Sequence, residues 1–359
     1  MLLTDILVDA ETCRHLVYDG NVDVAQNFTS KVRTELDIYD SPRLTGELKL
    51  IEGLIAQATG DWGRAADHFR RAEVFGRLAG SQDLTGFALS WVAHCCCNTG
   101  DPVGAARVLV SAASDLTNSR MEMRHRFALV AAELSCFIEE VSVCRQWFAG
   151  ARQIAGRVKS RGLFSASVFN QSALQAWLYV LSARSGLQVE GFTEGDPLTF
   201  LQSAANYDGI SGVAVKVDLH RVVQAQVLGA GRRHHEAMLI LERLIGEAED
   251  LGEVDRSRVV LEIVWNELRL QPSGADHARL RLQVLECFRG LVDEDDLAFA
   301  HSIMAQICEI EGNYSSMLMH KESMAHYAGV FRRRQSEIRI LLSGANMLDV
   351  DFIRNVTSM

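Results

Sequence analysis

Gly60-Asp61-Trp62-Gly63-Arg64-Ala65-Ala66-Asp67-His68-Phe69-Arg70-Arg71-Ala72 reads as a tight turn that opens into a helix. Ala65, Phe69 and Ala72 are spaced i, i+4, i+7, the spacing of a buried stripe on one helical face. The same arrangement recurs along the chain at a fixed interval, which makes this stretch one unit of a repeat array.

Gly20-Asn21, Gly60-Asp61 and Gly100-Asp101 stand 40 residues apart. Each turn glycine is followed after five residues by an alanine (Ala25, Ala65, Ala105) and after twelve by Val32, Ala72 or Ala112. Seven residues before each lie the small residues Cys13, Gly53 and Ala93. Small residues at two facing positions let paired helices approach closely, and a larger residue nine after the turn, Phe69 or Leu109, fills the space between pairs.

The pattern continues with decay. A fourth turn at Glu139 has Ala132 before it and Cys144, Phe148 and Ala151 after it. The helix predicted from Phe169 to Ser185 is followed by a glycine-rich stretch, Gly186 to Asp196, too long for an inter-helix turn and read as an inserted loop. Asp196 and Pro197 then open a helix to Tyr207 as N-cap and first helical residue. A fifth turn falls near Arg232, with Ala225 before it and Ala237, Leu241 and Leu244 after it. The sixth, at Gln271-Pro272-Ser273-Gly274, is degenerate, because Trp265 occupies a small-residue position. The seventh, Gly312-Asn313-Tyr314, has Ala305 before it and Met317, Lys321 and Met324 after it.

With the glycine-acidic-aromatic turn and the alanine spacing, the chain resembles the tetratricopeptide family, most closely at Gly53, Gly60, Trp62, Ala65, Phe69 and Ala72. The usual repeat is about 34 residues, so a step of 40 implies longer helices, as in extended bacterial variants. HEAT and armadillo repeats have about this period too; the small residue before each turn, paired with the alanine after it, favours the tetratricopeptide reading. The resemblance implies an all-α, right-handed α-solenoid of about eight antiparallel helix pairs over residues 1–324. A C-terminal helix extension and tail over 325–359 follow it, with Tyr314 to Leu342 as one long helix. This layout is similar to the tetratricopeptide sensor regions of bacterial diguanylate cyclases and MalT-like regulators, but no output-domain motif follows here.

Composition agrees with a helical protein. The 359 residues hold only 4 prolines, and 48% hydrophobic content allows a large core. A formal charge of −10 argues against general nucleic-acid binding, which needs a basic face. Met1 to Ala10 lacks the basic start of a secretory signal, and the most apolar run, Phe127 to Ile138, is too short to span a bilayer. The eight cysteines lie mostly inside helical patterns, so reduced thiols and a cytoplasmic location are expected.

Several clusters invite a chemical reading. In His94-Cys95-Cys96-Cys97, adjacent helical residues diverge by about 100°, so only His94 and Cys97 share a face and no zinc pair results. Cys96 is expected in the buried stripe. His234-His235 falls in a turn and is expected to be solvated. Asp293 to Asp296 lacks the ligand alternation of a calcium loop and is expected to favour the N-terminus of a helix from Leu297 to Glu311. Arg332 to Arg334 reads as an exposed helix face or partner contact, and no glycine cluster has phosphate-loop spacing. No catalytic motif, cofactor or metal site is legible.

In such an array the first helix of each pair lines the concave surface. By spacing from the turns, Gln57, Phe87, His94, Cys97, Arg126, Glu133, Gln226, Gln306 and Glu309 fall on that face and are the expected partner-binding groove. The expectation is a non-enzymatic scaffold or regulator that binds a protein or peptide, with no nucleic acid and no membrane. The other reading is a sensory module that dimerises through its C-terminal helix, with a small signal molecule in the groove. The family's groove for a C-terminal carboxylate uses lysines that these positions lack. The inserted loop is a second candidate binding element.

Overall fold

The computed structural model describes residues 3–36, 41–116, 119–185, 196–211, 217–247 and 252–358, and these are all-α with no strand among them. The helices are α1 (Leu3–Tyr18), α2 (Val22–Leu36), α3 (Pro42–Ala58), α4 (Trp62–Leu78), α5 (Gln82–Asn98) and α6 (Pro102–Ala112). They continue with α7 (Met121–Phe137), α8 (Val141–Arg157), α9 (Arg161–Ser185), α10 (Pro197–Ser211), α11 (Val217–Ala230) and α12 (His234–Glu247). The last five are α13 (Glu253–Leu270), α14 (His277–Cys287), α15 (Glu294–Ile310), α16 (Tyr314–Gly344) and α17 (Val350–Ser358). The inserted loop expected at 186–196 falls outside the described residues except for Asp196. That residue accepts a hydrogen bond from the Leu198 amide (3.1 Å) at the start of α10.

The 40-residue step is a backbone property. Gly20, Gly60, Gly100 and Gly312 are all left-handed, with φ between 72° and 83°. Each donates its amide three residues back, and the next residue donates five residues back, as in Asp61 N to Ala56 O (3.0 Å). This is the bonding of a glycine-terminated helix end. Glu139 and Arg232 adopt the same conformation at φ 63° and make the same two bonds, so the fourth and fifth turns persist without glycine. Gly80 and Lys159 repeat the turn halfway between, at the junctions from one helix pair to the next. After several turns the next residue caps the following helix: Asp61, Ser81, Asp101 and Asn313 each accept an amide three residues on.

The chain divides into two compact units. Unit 1 comprises Met1–Gln171, Asn206–Val215 and Glu337–Met359, and unit 2 comprises Ser172–Ala205 and Lys216–Ser336. In unit 1 each first helix packs on its own second helix and on the first helix of the next pair, giving a row α1, α3, α5, α7. The residues picked out by the turn spacing are buried: Cys13, Ala25, Val32, Ala65, Phe69, Ala72, Ala93, Ala105, Leu109, Ala112, Ala132, Cys144, Phe148 and Ala151. Close approach explains the small ones. A Cβ placed on Gly53 would lie 2.5 Å from the Phe69 ring. Gly53→Val is therefore expected to cost about 1–3 kcal/mol in urea unfolding. Part of that loss should be recovered in a Gly53→Val, Phe69→Leu double variant; additive losses would show that the two residues do not compete for space.

The tail expected after the long C-terminal helix is itself helical and packed. Residues after Gly344 turn at left-handed Asn346 and form α17, which packs on α8 and α7 inside unit 1. The Trp147 indole donates to the Met347 carbonyl (3.2 Å), its ring meets Phe352, and Arg339 donates to the Ile138 carbonyl (2.6 Å). The tail is short but strongly amphipathic: Ile353 and Val356 are buried, and Asp351 and Arg354 are exposed.

In unit 2, α11, α13 and α15 form a second row of first helices, and Ala225, Ala237, Leu241 and Leu244 are buried as spaced. Trp265 fills its small-residue position by packing edge-on against His234 and Phe299. His234, expected to be solvated, accordingly hydrogen bonds Asn266 (2.8 Å). The acidic run begins α15 as expected, yet no side chain caps it. Arg258 donates to Asp293 (2.6 Å) and Asp296 (2.7 Å), Trp177 to Asp295 (2.8 Å) and Arg334 to Glu294 (2.7 Å). The run is thus a tertiary junction, and Arg334 is part of it rather than of a free basic face.

Candidate functional site

The row α1, α3, α5, α7 carries charges where an ordinary helical core would be apolar. Glu47 sits in α3 between Gly46 and Leu48 and is 3% exposed. Arg14 of α1 donates to it at 2.7 Å, and so does Arg120 beside α7, which also holds Asp83 of α5 at 2.6 Å. Burial alone would raise the Glu47 carboxyl, but the Arg120 and Arg14 guanidiniums outweigh burial and hold it below the ordinary 4.5. In this chain of pairs each guanidinium has a carboxylate within ion-pairing distance, although the Arg14 Nε–H is buried without an acceptor.

Beside it lies an arrangement whose arginine has no carboxylate. Trp91 of α5 is buried, with Phe69 stacked at 5.4 Å and Tyr18 near-parallel at 6.5 Å. The Arg126 guanidinium of α7 lies over the same indole, its carbon 3.7 Å from the ring centroid. Arg126 is 7% exposed. Among the described residues no carboxylate lies within ion-pairing distance of it, and its Nε–H and the Trp91 Nε1–H are both buried without an acceptor. Burial pushes Arg126 down to about 10, which still leaves it charged at neutral pH. Burial also pushes the Tyr18 hydroxyl above its ordinary 10, so that group stays protonated. Three protonated donors therefore gather on one aromatic shelf.

His94 and Glu133 border this shelf. The His94 ring meets Trp62 at 5.5 Å and Trp91 at 5.6 Å edge-on, and its Nδ1 is 3.8 Å from a Glu133 oxygen. On the α1 side, Glu11, His15 and Glu122 bring ligand atoms within 4.8 Å of one another, with His15 Nε2 and Glu122 Oε1 at 3.7 Å. These three are the residues here that could approach a divalent ion, and one N and two O donors are one short of a closed tetrahedral shell.

Of the groove residues expected from spacing, the structure brings together His94, Arg126 and Glu133. Phe87 is a correction: it is wholly buried, with the Arg120 guanidinium 5.3 Å above its ring, and has no surface to offer a partner. Gln57 and Cys97 are half-buried on α3 and α5. In unit 2, Gln226 and Gln306 are half-buried and Glu309 is exposed. Within the run Cys95–Cys97 the buried residue is Cys95 rather than Cys96, because the stripe meets its neighbour one residue earlier. All eight cysteines are free thiols, and no described helix is long and apolar enough to cross a membrane.

The spacing argument missed Tyr18, Trp91, Glu47, Glu122 and Arg120. Their signal was charge and large aromatics at positions that pack against the next first helix, which a search for motifs within one helix does not register. No family model matches the chain, and no curated protein matches it.

Proposed function

We propose that the chain is a non-enzymatic scaffold or regulator of tetratricopeptide-like α-solenoid type, and that unit 1 binds a peptide segment of another protein along its row of first helices. The observation that carries this reading is the cluster of Trp91, His94, Arg126 and Glu133. It places aromatic, cationic and anionic groups side by side on the inner row, with His94 and Glu133 at its accessible edge. A solvated helix face does not need an arginine over a buried indole, and a core would not retain its charge without a partner. Mixed polar and aromatic side chains along an extended row suit main-chain and side-chain recognition of a peptide.

Selection of a displayed peptide library on the purified chain tests this. The wild type is expected to enrich a related set of peptides, and a His94→Ala, Glu133→Arg variant of equal thermal stability should lose at least tenfold in affinity for them. No enrichment, or equal binding by the variant, would mean that this row is not the binding face.

A further inference from the structure

We infer that Glu11, His15 and Glu122 form a binding site for a divalent transition-metal ion of the zinc class, which joins α1 to α7 within unit 1. The site stands whether or not the first-helix row binds a peptide.

Glu11 and His15 are four residues apart on α1, so both side chains leave the same face of that helix. Glu122 lies in the first turn of α7 and reaches the same point from a second helix. One ligand atom from each residue falls within 4.8 Å of the other two, and His15 Nε2 is already 3.7 Å from a Glu122 oxygen. Zinc bonds of about 2.0–2.2 Å at tetrahedral angles set donor atoms about 3.4 Å apart. The His15–Glu122 pair is close to that separation, and Glu11, which is exposed, closes the remainder by side-chain rotation.

Glu122 lacks the counterion that buried glutamates have elsewhere in this chain. Its side chain is 9% exposed, and among the described residues its one ion-pairing neighbour is the His15 ring, at 3.7 Å too distant for a hydrogen bond. The other buried glutamates of the described residues, Glu47, Glu52, Glu262 and Glu294, each pair with an arginine. A buried carboxylate without such a partner is costly, and a dication held against it removes that cost. The site is also reachable. Glu11 is exposed and the His15 side chain is 36% exposed, so an ion enters from solvent and meets Glu122 as the floor.

The donor set selects the ion. Calcium and magnesium take oxygen ligands, whereas an imidazole nitrogen suits zinc and its neighbours in the transition series. Two carboxylates balance the charge of the dication, a neutral imidazole adds none, and water completes four-coordination. By helix packing α1 meets chiefly α2 and α3, so an ion here adds a tie from the start of the row to α7.

Zinc titration of the chelator-treated full chain tests the site, read by calorimetry, by the His15 ring resonances and by the urea midpoint. The His15 resonances are assigned by their loss in His15→Gln. Zn²⁺ is expected to shift them and to raise the midpoint, and Mg²⁺ or Ca²⁺ at the same concentration to do neither. Glu11→Gln changes an exposed residue, so it should fold as wild type does while binding this zinc at least tenfold more weakly. Glu122→Gln keeps the side-chain shape and should show the same loss. Three results would each overturn the inference. One is no shift of the His15 resonances with excess Zn²⁺, which would leave a His15–Glu122 ion pair alone. Another is equal zinc affinity in wild type and both glutamine variants, which would put the ion on other histidines or on thiols. The last is an equal response to Mg²⁺ or Ca²⁺, which would make the imidazole irrelevant to binding.

Discussion

Glu47→Gln is expected to lower stability at pH 7 by about 3–5 kcal/mol, read as a drop in the urea midpoint at unchanged slope. The substitution keeps the shape of the side chain and removes one charge between two buried guanidiniums. Arg14 and Arg120 then lose the carboxylate they share, and only Arg120 retains a second partner, Asp83. The same residue sets a pH dependence. Its folded-state pKa lies below the ordinary 4.5, so the native state binds fewer protons than the unfolded chain near that pH. The stabilisation is therefore fully present above about 4.5 and is lost as pH falls through the lower folded-state value. Wild type should lose stability across that acid range more steeply than Glu47→Gln does. Parallel acid limbs for the two chains, or an unchanged midpoint at pH 7, would show that the network contributes nothing net.

Removal of residues 345–359 is expected to have an effect of similar size. The deletion takes away the buried side chains of Met347, Ile353 and Val356, each contributing about 1.5–3 kcal/mol of apolar burial before the ordering entropy of a nine-residue helix is set against it. It also strips the acceptor from the Trp147 indole and the Thr357 side chain from the surface around Gly150, a position too tight for any Cβ. The truncated chain should unfold at lower urea and show a red-shifted tryptophan signal, and Ile353→Asp should reproduce most of the loss. If truncation left the midpoint unchanged, α17 would be an ornament on unit 1 and not part of its core. The result bears on function as well. A dimerisation assay that deletes 325–359 would remove α17 together with part of α16, so a change in oligomeric state could arise from damage to unit 1.

The helical architecture and its ruler were legible because they are local. A left-handed residue every 40 positions, followed by small residues at fixed offsets, is written in Gly20, Gly60, Gly100 and Gly312, and the offsets located buried residues even at the turns of Glu139 and Arg232. The step halfway between, at Gly80 and Lys159, was hidden because its second instance has no glycine. The groove was legible only in part. Periodicity says which side of a helix faces the row of first helices, but not how much of that side the next helix covers, which is why Phe87 proved to be core and Arg126 is buried over Trp91, while Glu133 approaches His94.

The sequence by itself determined that the chain is all-helical and where most of its turns fall, since turn conformation and helix stripes depend on neighbours within about a dozen residues. Only the tertiary structure decided which charges are neutralised. Glu47 finds Arg14 and Arg120 at separations of 33 and 73 residues, whereas Arg126 finds an indole and no carboxylate within ion-pairing distance. Pairing of buried charges depends on which helices meet, and the helical period alone does not specify those partners.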